Sequence, residues 1–302
     1  MLVYWLFRLT ILVMRPFPLK VGYAIASFMA SLFYYPFRRQ RRALNENLAR
    51  VLGSDDKGYV DSVARRAFRN FGKYVVDFIH FPVMTREEIQ RRLAFDEWED
   101  LNKVAGFERG VLIVTIHFGN WDHGAAALAA YGYPVNAIAD TFHYPKMNQL
   151  VQGSREKLGM KIIPRERVGL GVFRALRRGE MLAMLIDVPA PDSSIQVPFF
   201  GAPAEVSSAP ARIALRTGAW VVPAVVVQGP EDPAIVRPII DVSLQYEPTG
   251  LEEEDVHRLT ALIMASLERQ IRRYPDQWFI FRRMWTAPAE MMEKGRALPS
   301  EA

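Results

Sequence analysis

Three textures follow one another along the 302-residue chain. The first is apolar and aromatic. Met1 to Met14 carries one charge, Arg8, and Val21 to Phe37 carries none before the chain enters Arg38-Arg39-Gln40-Arg41-Arg42. The second is amphipathic. Val60, Val63, Ala64, Ala67, Phe68, Phe71, Val75 and Phe78 recur every three or four residues, which predicts one long helix over Lys57 to His80, stopped by Pro82. A shorter helix is expected from Arg86 to Leu93. The third texture begins near residue 110, where short β-rich runs alternate with helical stretches. "VLIVTI" precedes a helix to about Tyr131, "PVNAIA" a helix from about Pro145 to Leu158, and "MKIIP" a helix to Arg178. "MLAMLI" and "IQVPFF" follow, then a helix near Ala209 to Thr217 and the run "WVVPAVVV". This alternation predicts an α/β fold with a largely parallel central sheet flanked by helices. A last helix is expected from a capping box at Thr249 and Glu252 to about Tyr274, striped by Val256, Leu259, Ile263, Leu267 and Ile271. No linker separates independent domains. Residues 51–302 are therefore expected to form a single α/β domain behind an N-terminal helical segment over 1–50.

That first segment is expected to be membrane-associated. The uncharged run closed by arginines sits at the lower length limit for a bilayer-spanning helix. It either crosses with its arginines on the cytoplasmic side, lies in the interface, or packs on its own domain. Arg8, Arg15, Pro16, Pro18 and Lys20 divide the apolar stretch into pieces too short for two clean crossings. Tyr4, Trp5, Tyr34 and Tyr35 beside the arginines suit a headgroup layer, so the interface is favoured. No small-residue cleavage signature follows, which argues against a removed signal peptide.

The formal net charge is +5. A basic balance suits anionic lipid, nucleic acid or a phosphate-bearing substrate. The excess is modest and set among apolar residues, and Gly-rich phosphate loops are missing, so no nucleic-acid partner is expected. Cysteine is absent, which excludes disulfides, thiolate metal sites and a cysteine nucleophile. There is no G-x-S-x-G elbow to present a serine. His123 and His143 lie near His117 and Asp122 in sequence, but no three-ligand spacing follows, so no metal is expected.

The candidate chemistry lies in "HFGNWD", His117 to Asp122, where "VLIVTI" ends. Ligands of open α/β sheets bind at the carboxyl edge of the strands. Phe118 and Gly119 make the turn, Asn120 is a good N-cap, and Trp121 and Asp122 enter the first helical turn. Across such a junction Asp122 can point back at the imidazole of His117, hold its tautomer and favour the imidazolium. First-turn N–H groups near Gly119 and Asn120 are then candidate oxyanion donors. The plainer alternatives are a macrodipole-stabilised aspartate and a hydrogen-bonded surface histidine.

The pattern around this motif resembles the acyltransferase family of lipid A late acyltransferases and phosphatidylinositol mannoside acyltransferases. "HFGNWD" is similar to that family's motif of a histidine and an acid separated by four residues. "RRQRRALNENLARVLG" resembles its basic segment leading into an Asn-Leu helix. "VPFFGAPAEVSSAPARIALRTGAWVVPA" and "YPDQWFIFRRMW" resemble its later elements. Two departures stand out. Asp187 is followed by Val188 and Pro189 where members often have Asp-Gln, and Asp276 stands where Glu is common.

The resemblance implies transfer of a fatty acyl group from a thioester to a hydroxyl of a glycolipid or phospholipid-type acceptor, such as a lipid A precursor. It implies His117 as base and Asp122 as its partner. With it, Arg155, Arg282 and Arg283 become candidate substrate-binding residues for phosphates, alongside Gly119 and Asn120; Arg165 is a weaker candidate of the same type. Trp278 and Trp285 are expected to pack. Expected partners are membrane lipids and an acyl carrier protein or coenzyme A thioester, the thioester being a co-substrate, with no further cofactor. The expected place is the cytoplasmic membrane, peripheral or single-pass, with the site on the cytoplasmic side. The rival readings are a lipid ester or thioester hydrolase using the same His-Asp pair, and a non-enzymatic lipid-binding protein.

Overall fold

The computed structural model describes residues 2–14, 17–105, 109–139, 144–164, 168–189 and 193–285. The expectations at Arg15, Pro16, His143 and Arg165 lie outside them. The chain opens with helices α1 (Leu2–Met14), α2 (Leu19–Phe33), α3 (Arg38–Leu52) and α4 (Lys57–His80), then α5 (Arg86–Arg91) and α6 (Trp98–Ala105). Strand β1 (Val111–Thr115) leads to α7 (Trp121–Ala130), β2 (Val135–Ala139) to α8 (Pro145–Lys157), and β3 (Lys161–Pro164) to α9 (Val168–Arg177). β4 (Met181–Leu185), β5 (Ser194–Phe199) and β6 (Ala202–Ser207) follow, then α10 (Ala209–Thr217), β7 (Trp220–Gln228), β8 (Val236–Ile240) and α11 (Glu252–Arg273).

Six strands form one sheet in the order β3-β2-β4-β1-β7-β8, parallel throughout except for the antiparallel β7–β8 pair. β5 and β6 form a separate antiparallel hairpin. Because side chains alternate along a strand, β1 feeds two cores. Leu112 and Val114 pack with α9, α10 and α11 on one face, while Val111 and Ile113 pack with α5, α6 and α7 on the other. Both faces are covered, which is why these strands read as continuous apolar runs.

The N-terminal helices rest on α4. Tyr34, Leu44 and Leu48 bury themselves against Val60, Val63, Ala64, Ala67 and Phe68. On α3 the buried Asn47 donates to the carbonyls of Ile280 and Arg282 and accepts from the N–H of Met284, so the Asn-Leu helix clamps the C-terminal segment. Along α1 and α2, by contrast, Trp5, Leu9, Leu12, Ile25, Phe28 and Leu32 are exposed. No helix among the described residues is long and apolar enough to cross a membrane.

The start of α11 differs from the capping-box expectation. Its first turn is closed by the Asp255 carboxylate, which accepts from the N–H and hydroxyl of Thr249, the N–H of Gly250 and the hydroxyl of Tyr246. The helix begins only at Glu252, so Thr249 lies outside it and Glu252 cannot reach back as an N3 residue.

Candidate active site

β1 and β4 run parallel in register, Thr115 opposite Leu185. The pairing continues one step, with the N–H of Ile186 donating to the Thr115 carbonyl at 2.9 Å. His117 and Asp187 each lie two residues beyond their strand, so the ladder delivers them side by side. His117 Nδ1 is 2.8 Å from Asp187 Oδ1, and the His117 backbone N–H donates to Oδ2 at 2.9 Å. The indole N–H of fully buried Trp278 donates to the same Oδ2 at 3.2 Å. Asp187 is completely buried, while the side chain of His117 keeps 29 % exposure.

These contacts set the charges. Burial alone would raise the Asp187 pKa, but the His117 imidazolium and the three donors outweigh it and hold the carboxyl below its ordinary range. Burial likewise disfavours the imidazolium, yet the Asp187 charge and hydrogen bond outweigh it, and the His117 pKa lies above its ordinary value. With Asp187 ionised, Nδ1 carries the ring proton and Nε2 presents a lone pair. Nε2 has no hydrogen-bond partner among the described residues. The ring sits edge-on to Trp121, centroids 5.2 Å apart.

The expected partnership of His117 with Asp122 is therefore corrected: the ring is held by Asp187. The cause is the turn. Gly119 has φ +55°, and a Cβ there would lie 1.8 Å from the Val226 carbonyl oxygen, so only glycine takes this path against β7. The turn sends the first turn of α7 towards α4 and α8. Asp122 there accepts from the Tyr74 hydroxyl at 2.9 Å and from Arg155, Nε at 3.0 Å and Nη2 at 2.7 Å. Tyr74 stacks on Trp121 at 4.1 Å, so Asp122 is bonded behind the ring lying against His117 and reaches His117 only through its charge, which helps to raise the imidazole pKa.

The other candidates divide. The Gly119 N–H donates to the Gln277 carbonyl and the Asn120 N–H to the Val226 carbonyl, so neither is free for an oxyanion. Asn120 is the N-cap of α7 as read, its Oδ1 accepting from the His123 N–H, but its side chain is fully buried. Its Nδ2 donates at 2.7 Å to Asp77, which also accepts from Tyr23 and Arg92. Arg155 is engaged with Asp122 and Gln152. Arg283 faces Glu46 on α3 and is not brought to the site. Arg282 is. Its Nη2 donates to the Asp187 carbonyl at 2.6 Å, its charge is felt by His117, and its buried Nε has no partner among the described residues. Trp278 does more than pack, since it holds Asp187.

His123, fully buried, bonds the Ile89 carbonyl through Nε2, and burial pushes its pKa down to about 3. It is a neutral structural histidine. No group of three or more potential ligands among the described residues is arranged to hold a metal ion. Behind Trp121 a narrow apolar cleft of about 60 Å³ runs between α7 and the sheet, lined by Phe95, Thr115, Ala125, Leu128 and Ile240 among others.

The profile of the bacterial lipid A biosynthesis acyltransferase family matches residues 1–287. Among curated proteins, the chain is 24 % identical over 249 residues to the phosphatidylinositol mannoside acyltransferase of Mycolicibacterium smegmatis, covering 81 % of this chain and 79 % of the relative. It is 24 % identical over 261 residues to the phosphatidylinositol mannoside acyltransferase of Mycobacterium tuberculosis strain CDC 1551, covering 84 % and 79 %. The chain belongs to the bacterial lipid A biosynthesis acyltransferase family and is an acyltransferase acting in glycolipid biosynthesis.

Proposed function

We propose that this acyltransferase moves a fatty acyl group from an acyl carrier protein or coenzyme A thioester to a sugar hydroxyl of a membrane glycolipid. His117 is the general base, and Asp187 orients it. The observation that carries this reading is the His117–Asp187 pair at 2.8 Å on a partly exposed ring whose Nε2 has no partner among the described residues. The acceptor hydroxyl gives its proton to Nε2 as its oxygen attacks the thioester carbonyl. The tetrahedral oxyanion then collapses, the C–S bond breaks, and the leaving thiolate takes the proton back from the imidazolium. No acyl-enzyme is needed. Arg282, cationic and with its buried Nε unpartnered among the described residues, is the best placed donor for the oxyanion.

The acyl chain is assigned to the apolar cleft behind Trp121, lined on the α7 side by Gly124, Ala125, Ala127 and Leu128. The exposed apolar faces of α1 and α2, followed by the arginines of α3, support a protein lying in the membrane interface. The cytoplasmic face is the proposed side, since thioester donors are made there.

The test uses a radiolabelled acyl thioester with total glycolipid as acceptor. Label is expected in lipid for the wild type. His117→Ala is expected to lower turnover by about 10²–10⁴-fold with little change in donor binding. Label released as free fatty acid, or a His117→Ala protein acylating at the wild-type rate, overturns the proposal.

A further inference from the structure

A cavity of about 370 Å³ lies between α1 and α8; His117 does not line it, and its lining is largely polar where the cleft behind Trp121 is apolar. Tyr4 and Arg8 enter it from one face of α1, four residues apart. Lys146, Gln149 and Lys157 enter from α8, and Pro82 borders it. The Tyr4 ring is steadied edge-on against Tyr144, centroids 5.7 Å apart. Among the described residues no carboxylate lines the cavity, and Arg8, Lys146 and Lys157 have no ion-pair partner. Three cations standing round one cleft without a counter-charge beside them make a setting that favours an anion. The volume falls in the range of small-molecule sites.

The neighbouring face of α1 narrows the choice of anion. Trp5, Leu9 and Leu12 adjoin Tyr4 and Arg8 on the same helix and are 58 %, 54 % and 68 % exposed. One helix thus offers a cationic flank beside an apolar one, the arrangement of a phospholipid with its phosphate above its chains.

We propose that the α1–α8 cleft binds the headgroup phosphate of an anionic membrane phospholipid whose chains lie along Trp5, Leu9 and Leu12. This rests on the interfacial placement of α1 given above. It adds a lipid site distinct from the one where acyl transfer occurs. The two are joined through α8, whose opposite flank carries Arg155 and its bond to Asp122.

The deciding experiment uses a short-chain phosphatidylglycerol below its micelle concentration, so that no membrane is needed, with the full chain and thermal shift and calorimetry as readouts. The cleft variant is Arg8→Gln/Lys146→Gln/Lys157→Gln. The charge-matched control is Arg91→Gln/Arg177→Gln/Arg237→Gln, exposed cations on α5, α9 and β8. The short-chain lipid is expected to raise the Tm of wild type and control alike. It should bind the cleft variant about tenfold more weakly or worse, the loss expected when charge-assisted bonds to a phosphate are removed. Lys146→Arg/Lys157→Arg should retain binding. If the triple variant does not fold, Lys157→Gln alone is expected to show the same loss in smaller degree.

Equal lipid binding by cleft variant and wild type overturns the proposal. So does inorganic phosphate binding as tightly as the lipid, or coenzyme A binding in a way that the cleft variant abolishes, which assigns the cleft to the thioester donor. Failure of the wild type to bind phosphatidylglycerol vesicles, with the short-chain lipid response intact, counts against the interfacial reading and leaves the cleft assignment standing.

Discussion

Asp187 uses both carboxylate oxygens inside the protein, on three N–H donors from His117 and Trp278. Asp187→Asn keeps the shape but offers the ring an N–H, which favours the tautomer with the proton on Nε2. We predict a fall in kcat on the order of 10⁴-fold, as for the analogous change in a catalytic triad, with a modest change in Tm. The pH dependence has a definite sign. The base must be neutral, and the His117 pKa lies above its ordinary value, so kcat/KM should rise as pH climbs through that pKa. In Asp187→Asn the residual activity should titrate at lower pH. For stability, the raised imidazole contributes fully below pH 6.5, and its contribution is lost as pH rises through the folded pKa. The depressed Asp187 contributes above its ordinary value and is lost as pH falls through the folded one. Asp122→Asn should shift the pH–rate profile less than Asp187→Asn, because its bonds go to Tyr74 and Arg155. His117 was legible in the sequence as a histidine closing a β-rich run. Asp187 closes another such run, "MLAMLI", and the signal for it was the shared length of the two runs. That signal becomes readable only once β4 is known to pair with β1, a non-local fact that a five-residue motif does not contain.

The close approach of α7 to β7 makes small residues on that helix consequential. Gly119→Ala places a methyl group against the Val226 carbonyl at a positive φ, so we expect loss of more than about 4 kcal/mol or failure to accumulate folded protein, measured by denaturant unfolding. Ala125 lines the apolar cleft, which β7 borders through Val222, Ala224 and Val226. Ala125→Phe should leave the fold intact and shift preference towards shorter acyl thioesters, read from kcat/KM across a chain-length series. An unchanged length profile would remove the cleft as the acyl site. Below the same helix, Asp77 gathers Tyr23 of α2, Arg92 and the N-cap Asn120 around one fully buried carboxylate. Asp77→Ala strands the Arg92 guanidinium, and a cost of about 3–5 kcal/mol is expected in the same unfolding assay. The helices α4 and α10 begin and end where apolar spacing and Pro or Gly punctuation put them. Strand β8 carries no clear strand signal in the sequence because Arg237 and Pro238 interrupt its apolar pattern. Both are tolerated because β8 lies at the sheet edge, paired with β7 on one side and bridged to Leu93 through Val236 on the other. "IQVPFF" is a strand as read, but it belongs to the β5–β6 hairpin and not to the main sheet, a choice that depends on its antiparallel partner over Ala202–Ser207.

The distribution of apolar surface over the chain is lopsided. The sheet domain buries its hydrophobic side chains in two cores, one on each face, whereas α1 and α2 leave theirs outward: Leu12 is 68 % exposed, Phe28 70 % and Leu32 56 %. A soluble monomer rarely keeps so many large apolar side chains together at its surface. The basic α3 follows at once, with Arg38, Arg39 and Arg42 exposed. An apolar face flanked by cations is the pairing that binds anionic bilayers in the interfacial plane. Both helices are at most 15 residues long, which fits lying along the surface better than crossing it. Each large side chain moved from water into acyl chains contributes about 1.5–3 kcal/mol. Leu12→Glu/Phe28→Glu should therefore weaken sedimentation with phosphatidylglycerol vesicles by roughly 100-fold or more. Because neither side chain supports the sheet or touches His117, the double variant should keep its Tm and its turnover on a detergent-dispersed acceptor. Loss of vesicle binding and of dispersed-substrate turnover together would mean that α1 and α2 serve the fold, and wild-type vesicle binding by the variant would mean that the exposed stripe meets something other than lipid.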